Sequence, residues 1–246
     1  MDFTFGIITD GKNDKLLLKM IHSIRMNNIP NYEIIIIGNT NIPISKNITV
    51  ILFDETIHPG WITRKKNIIT SVAKYENVVL LHDYIQLHPD WYQGFLRFGN
   101  DFDWCVTKIL TIRNQRFRDY TLLPSTCEEI GLFYSPGDID PYFFDTCLLP
   151  YDFENSLATN KYMYISGSYY IIKKSIAMQF PLDETLFHCQ SEDVELSKRL
   201  HRNGIIIRCN SFSSVSFLKP KGSVHWENEI CPEKLREFVD YCNNEP

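Results

Sequence analysis

Apolar positions along the first third of the chain alternate between continuous runs and helical stripes. Phe3–Thr9 is a mostly apolar run that closes on Asp10-Gly11, as a buried strand does. Asp14–Asn28 places Leu17, Ile21 and Ile24 at helical spacing, and Pro30 stops the helix. Tyr32–Gly38 contains EIIIIG, a β-branched run suited to a strand covered on both faces. Ile48–Phe53 predicts a third strand ending at Asp54-Glu55, Gly60–Lys74 a helix, and Asn77–Leu81 a fourth strand. Strand, helix, strand, strand, helix, strand predicts a mostly parallel, Rossmann-like α/β sheet flanked by helices.

Further on, Pro89–Phe98 predicts a short helix and Trp104–Leu110 a strand. Arg113–Asn160 loses periodicity and is rich in Pro, Tyr, Phe and acidic residues, which predicts a long irregular insertion over a site. Its aromatics, among them Phe117, Tyr120 and Tyr151, suit either sugar stacking or a satellite core. Pattern returns at Tyr162–Ile172, a strand broken by Ser166-Gly167-Ser168. Ser191-Glu192-Asp193 opens a helix that runs to Asn203, with Ser191 placed to cap it and Gly204 suited to its C′ position. Gly204–Cys209 predicts a strand, Phe217–Trp226 a polar loop and Pro232–Tyr241 a last helix. With no repeat and no composition break, the expectation is one domain over residues 1–246.

Composition narrows the class. Of 246 residues 44% are apolar, enough for a full core. A net charge of −5 argues against a general nucleic-acid binder, which needs a basic surface. The seven cysteines are scattered, odd in number and without a CxxC pair, so a reduced, cytoplasmic environment is expected and a zinc cluster is not. No basic leader follows Met1, and no apolar run reaches the ~20 residues of a membrane helix, which leaves only peripheral membrane contact. No GxGxxG follows the first strand, so the dinucleotide fingerprint is absent.

The candidate chemistry sits at element ends. NVVLLHDYIQLHPDWY carries a strand into His82-Asp83-Tyr84, and open α/β sheets bind ligands beyond their strand ends. Asp83 offers a hard carboxylate to a divalent cation, and His82 is either a second ligand or a packed strand-end residue. Glu192 and Asp193 fit two readings: acidic residues complementing a helix dipole, or a general base for an acceptor hydroxyl. His225, in KPKGSVHWEN, is either an exposed loop residue or a metal ligand beside Lys219 and Lys221. Asp10 and Asp54 close strands and can accept from a base or a ribose, or simply cap turns. Arg64 and Lys65 read as a solvated basic face, and Asn67 in a helix start is not explained by propensity.

In the order and spacing of these motifs the chain resembles glycosyltransferases of the A-type (GT-A) fold, in particular inverting enzymes like those of family 2. Thr9-Asp10, Asp54 and Lys66-Asn67 resemble the family's nucleotide-binding positions. His82-Asp83-Tyr84 falls where the family has its Asp-x-Asp motif, with Asp83 its single carboxylate. Ser166-Gly167-Ser168 resembles the segment lining the sugar pocket, Glu192-Asp193 the Glu-Asp motif, and His225 the C-terminal metal-binding histidine. Residues 113–160 lie outside the resemblance.

The resemblance implies a nucleotide-sugar-binding half over 1–110 and an acceptor-binding half over 111–246. It implies Mn2+ or Mg2+ on Asp83 and His225, and donor contacts from Thr9, Asp10, Asp54, Lys66, Asn67, His82, Asp83 and Gly167. Asp193, or less favourably Glu192, would be the base, and the acceptor a glycan, a lipid-linked sugar or a protein. Two other classes fit the sheet: a nucleotidyltransferase, for which DGKNDK after the first strand is poor in glycine, and a non-catalytic sugar- or partner-binding member of the fold.

Overall fold

The structure, a computed structural model, describes residues 1–123, 147–220 and 228–244. Its first third is β1 (Phe3–Ile8), α1 (Asp14–Met26), β2 (Tyr32–Ile37), β3 (Ile48–Ile51), α2 (Ile62–Val72) and β4 (Asn77–His82). The four strands pair in parallel in the order β3-β2-β1-β4. Ile8 of β1 lies level with Ile37 of β2 and His82 of β4, so three strands release their chains at one edge. That shared edge places Thr9 and Asp83 side by side.

The chain continues through β5 (Ile85–Leu87), α3 (Trp91–Phe98), β6 (Trp104–Leu110), β7 (Arg116–Phe117), β8 (Thr121–Leu122), β9 (Cys147–Leu148), α4 (Leu157–Asn160) and β10 (Met163–Tyr164). Next come β11 (Tyr169–Lys173), α5 (Lys174–Gln179), α6 (Glu192–Arg202), β12 (Ile207–Phe217), β13 (Asn228–Glu229) and α7 (Pro232–Asn244). The central sheet runs β3-β2-β1-β4-β11-β6-β12-β5, with β7 on β6. β11 is antiparallel to both β4 and β6, which interrupts the parallel order, and β6 and β12 are parallel again.

Helices cover the sheet as the stripes require. α1 buries Leu17, Met20, Ile21 and Ile24. α3 buries Trp91 and Phe95 against Phe3, at ring-centroid distances of 5.0 and 5.4 Å. The end of α6 is a Schellman closure: Ile205 N–H donates to Leu200 and Gly204 N–H to His201, with Gly204 left-handed at φ 77°.

One element exceeds its sequence pattern. A strand was expected over Gly204–Cys209, yet β12 runs on through the serine-rich stretch to Phe217. Ser213 is buried there because its hydroxyl donates 2.7 Å to the Trp91 carbonyl and accepts from Asn210, and a bulge between Asn210 and Ser214 accommodates the pair. Bonded hydroxyls escape the desolvation cost that makes serine read as loop.

Two strands of the 113–160 insertion, β8 and β9, join β10 and β13 in a second sheet, β10-β8-β9-β13, while β7 pairs with β6 of the central sheet. Asp119, fully buried, joins the two sheets. Its carboxylate accepts from the Ile109 N–H of β6, from Tyr151 and from Arg116 at 3.1, 2.7 and 2.9 Å, and Arg116 also reaches Glu229 of β13 at 2.8 Å. Phe117 packs edge-on against Phe217 and Tyr120 is buried, and both belong to the main hydrophobic core rather than to a separate satellite. Among the described residues no helix is long and apolar enough to cross a membrane, and Cys105, Cys189, Cys209, Cys231 and Cys242 are free thiols.

Candidate functional site

Beyond the level ends of β1 and β4 opens a cleft of ≈ 710 Å³. Its lining includes Thr9, Asp10, Lys12, Glu55, Lys65, His82, Asp83, His188 and Lys219. Asp83 is 6% exposed; its N–H donates to the Ile8 carbonyl at 3.2 Å, and the Thr9 hydroxyl donates to its Oδ2 at 2.7 Å. Burial pushes the Asp83 carboxyl above the usual range, against the pull of the Thr9 hydroxyl and of Lys219 and Lys65. Asp10 is exposed and pairs with Lys12 at 3.0 Å. Partial burial acts to raise its carboxyl, but the Lys12 hydrogen bonds and charge prevail and hold it below the usual range.

Lys65 departs from the solvated face expected of it. Arg64 fits that face, pairing with Glu184 at the surface. Lys65, a ~100° turn further round the helix, is only 3% exposed, donates 2.8 Å to the Thr9 carbonyl and pairs with Glu55. It braces the cleft floor from beneath. Neither Lys65 nor Glu55 carried a motif; the tight polar punctuation around Asp54-Glu55 was their only sequence signal.

A second recess of ≈ 270 Å³ shares Ile62, His82 and His188 with the cleft, and adds Arg118, Ser166, Gly167, Cys189, Glu192 and Asp193. Asp193 is fixed at both oxygens: the Gly167 N–H donates to Oδ2 at 2.8 Å and the Val194 N–H to Oδ1 at 2.9 Å. Glu192 is 6% exposed, and its Oε1 lies 3.7 Å from the Lys66 ammonium. Burial pushes the Glu192 carboxyl up and the Lys66 ammonium down, each opposed by the other's charge.

The expected cap at Ser191 does not form. Ser191 is left-handed at φ 58°, as is Cys189 at φ 67°, and no side chain caps α6. The acidic pair is held by Gly167 and Lys66 instead.

The remaining expected residues lie elsewhere. Lys66 and Asn67 do not line the cleft: Lys66 donates 2.7 Å to the Gly167 carbonyl, and Asn67 binds Leu182 and Glu184 through bonds of 2.9 Å. Asp54 is exposed, its carboxylate accepting from Thr56, and it is Glu55 that reaches the cleft. His225 and Lys221 lie outside the described residues, while Lys219 lines the cleft with its ammonium 4.3 Å from the centre of the Tyr84 ring.

Among the described residues no three His, Cys, Asp or Glu side chains gather into a cation cage. The donor set nonetheless fits a cation that arrives with a diphosphate: Mg2+ and its kin bind through one or two carboxylates plus substrate phosphates and water. Asp83 supplies that carboxylate on the cleft wall, beside His82.

No family model matches the sequence, and no curated protein matches it. Solved structures do. GalNAc-T7 with UDP, GalNAc and Mn2+ superposes with a TM-score of 0.61 at 11% identity, over 98% of this chain and 47% of that one. S. aureus TarS 1–349 in complex with UDP-GlcNAc gives 0.54 at 12% identity, over 98% of this chain and 65% of that one. The chain thus spans about half to two thirds of these structures. At this identity the likeness shows the fold alone: a central sheet flanked by helices that matches the domains of these glycosyltransferases.

Proposed function

We propose that this protein is an inverting glycosyltransferase that moves a sugar from a nucleoside-diphosphate donor to an acceptor hydroxyl. The observation that carries the reading is the meeting of two spaces at His82 and His188. One holds the strand-end Asp83 with Lys12, Lys65 and Lys219 also in its lining, and the other holds Asp193 fixed by two backbone N–H groups. The donor would lie in the larger cleft, with Thr9, Asp10, His82 and Asp83 around it.

Asp193 would take the proton from the acceptor hydroxyl as its oxygen bonds to the anomeric carbon. The bond from that carbon to the diphosphate breaks on the opposite face, and its electron pair leaves with the nucleoside diphosphate. Glu192 is the weaker candidate base because Lys66 engages it. Lys219 and Lys12 line the cleft where the departing negative charge would develop. Mn2+ or Mg2+, held by Asp83 with His225, would neutralise the diphosphate when bound. Activity that persists without a divalent cation would leave the base and the fold reading in place and remove the metal from it.

Thermal shift against UDP, GDP, CMP and dTDP, with and without manganese, tests the donor half. A metal-dependent shift with one nucleotide is expected. No shift with any of the four would favour a non-catalytic member of the fold. Asp193→Asn tests the base half: transfer should fall by about 10²–10⁴-fold, the usual worth of a positioned base, while the nucleotide shift persists.

A further inference from the structure

Lys66 is the most deeply buried cation among the described residues, at 1% exposure. A buried ammonium is tolerated only when its donors and its charge are both satisfied. Its Nζ donates 2.7 Å to the Gly167 carbonyl, lies 3.7 Å from Glu192 Oε1 and sits 5.3 Å from the centre of the Tyr170 ring. None of these partners is a ligand. The same Gly167 donates its N–H to Asp193, so one residue links the buried ammonium to the candidate base. Gly167 and Glu192 are in such close approach that a Cβ on residue 167 would fall 2.5 Å from Glu192 Oε1.

We propose that Lys66 is a positioning residue rather than a donor-binding one: its ammonium locks Gly167 and Glu192 together from behind and so holds Asp193 in the recess. The catalytic arm of this inference rests on the glycosyl-transfer reading. Without the ammonium, Glu192 would be a carboxylate buried beside Asp193 with no compensating charge. The titratable groups facing Lys66 and Glu192 are Asp193 on the same helix, Tyr170 from β11, and Tyr84 and His188 from the cleft side. None of them supplies a permanent positive charge.

The test compares wild type, Lys66→Met, Glu192→Gln and the double variant in three measurements. In the first, Lys66→Met should lower kcat by about 10²-fold, the scale of a misplaced catalytic group, with donor KM changed by no more than about twofold, as for a loss confined to the transition state. In the second, the UDP thermal shift should be unchanged by Lys66→Met. In the third, the Glu192 carboxyl, followed by ¹³C NMR and assigned from Glu192→Gln, should titrate at higher pH in Lys66→Met than in wild type. A merely structural lysine would leave kcat of the folded Lys66→Met protein intact, so the loss of kcat at unchanged donor KM marks the positioning role and the titration shows that it acts through Glu192.

Lys66→Met with intact kcat and a lost UDP shift would overturn the inference and return Lys66 to the donor site. So would an unmoved Glu192 titration. If Lys66→Met fails to fold, the double variant, which also removes the buried carboxylate, is compared with Glu192→Gln: kcat should fall further because the Lys66–Gly167 bond is lost, with the UDP shift unchanged, and equal kcat or a lost UDP shift in the double would overturn the inference. If wild type transfers no sugar from any donor, the glycosyl-transfer reading fails by itself, and the carboxyl titration and UDP shift still decide the role of Lys66.

Discussion

At Gly167 a single hydrogen atom separates a working arrangement from a clash. Its N–H and C=O are both engaged, by Asp193 and Lys66, and the space a Cβ would fill is held by Glu192. Gly167→Ala should therefore push Glu192 off the lysine and lower stability by about 1–3 kcal/mol, as overpacking does. The urea midpoint measures that loss, and an unchanged thermal shift with whichever nucleotide stabilises the wild type would show that the strand-end cleft is spared. His201, in the last turn of α6, makes a pH prediction. A helix C-terminus favours a charged histidine, but desolvation, with Lys161 and Arg202 nearby, lowers its proton affinity instead. The folded state then binds that proton less tightly than the unfolded chain. Stability should fall as pH drops below the ordinary histidine value of about 6.5 and through the lower folded value. His201→Gln should flatten this limb in urea midpoints taken from pH 7 to pH 5, and an identical limb in both proteins would assign it to other groups.

The elements around the site act in pairs, and α2 is the clearest case. Trp61, Thr63, Arg64 and Asn67 all bind the segment 182–186, which leads directly into His188 and the acidic pair. Asn67→Ala removes the bonds to both backbone groups of Leu182, at a cost of about 1–3 kcal/mol for the groups left unpaired. Amide exchange should quicken over 182–190 and stay unchanged in β1 and β4; uniform acceleration would mean that the strap has no separate stability. This coupling explains what was legible in the sequence. β1, β2, β4 and α1 could be read because periodicity reports burial directly, and Gly204 because a left-handed C′ position selects its residue. Asp83's place at the end of a buried strand could be read from the apolar run that precedes it. Asn67 drew notice as out of place in a helix, but its partners lie more than a hundred residues away. Lys65 looked like part of a charged face and Lys66 like a donor-binding position because neutralisation by Glu55, Gly167 and Glu192 is a tertiary fact. The serine-rich half of β12 was hidden for the same reason, Ser213 being bonded to the Trp91 carbonyl of α3 and Ser216 to Gln86 of β5.

At the scale of the whole molecule, the second sheet is tied to the first largely through one buried carboxylate. Burial pushes Asp119 above the usual carboxylate range, while Arg116, Tyr151 and the N–H groups of Tyr120 and Ile109 pull it back. Arg116 stacks on the Tyr151 ring and extends the node to Leu149 and Glu229, so segments around residues 109, 116–120, 149–151 and 229 meet at the Asp119–Arg116 pair. The recess depends on this node, because Phe117 and Arg118 line it from the turn that Asp119 closes. Asp119→Asn keeps the size but removes the buried one of the two carboxylates that pair with Arg116, leaving Glu229, which is half exposed. Breaking a buried pair from one side costs about 3–5 kcal/mol, and here the loss should fall first on the insertion. Unfolding followed by tryptophan fluorescence reports mainly the central sheet, since Trp91 and Trp104 are buried there. Limited proteolysis between residues 113 and 160 reports the second sheet. In wild type the two transitions should coincide; in Asp119→Asn the insertion should become cleavable at urea concentrations where the tryptophans are still native. Coincident transitions in the variant would show instead that the sheets are joined through their packed aromatics. The recess would then owe its shape to Phe117 on Phe217 rather than to the charge beneath them.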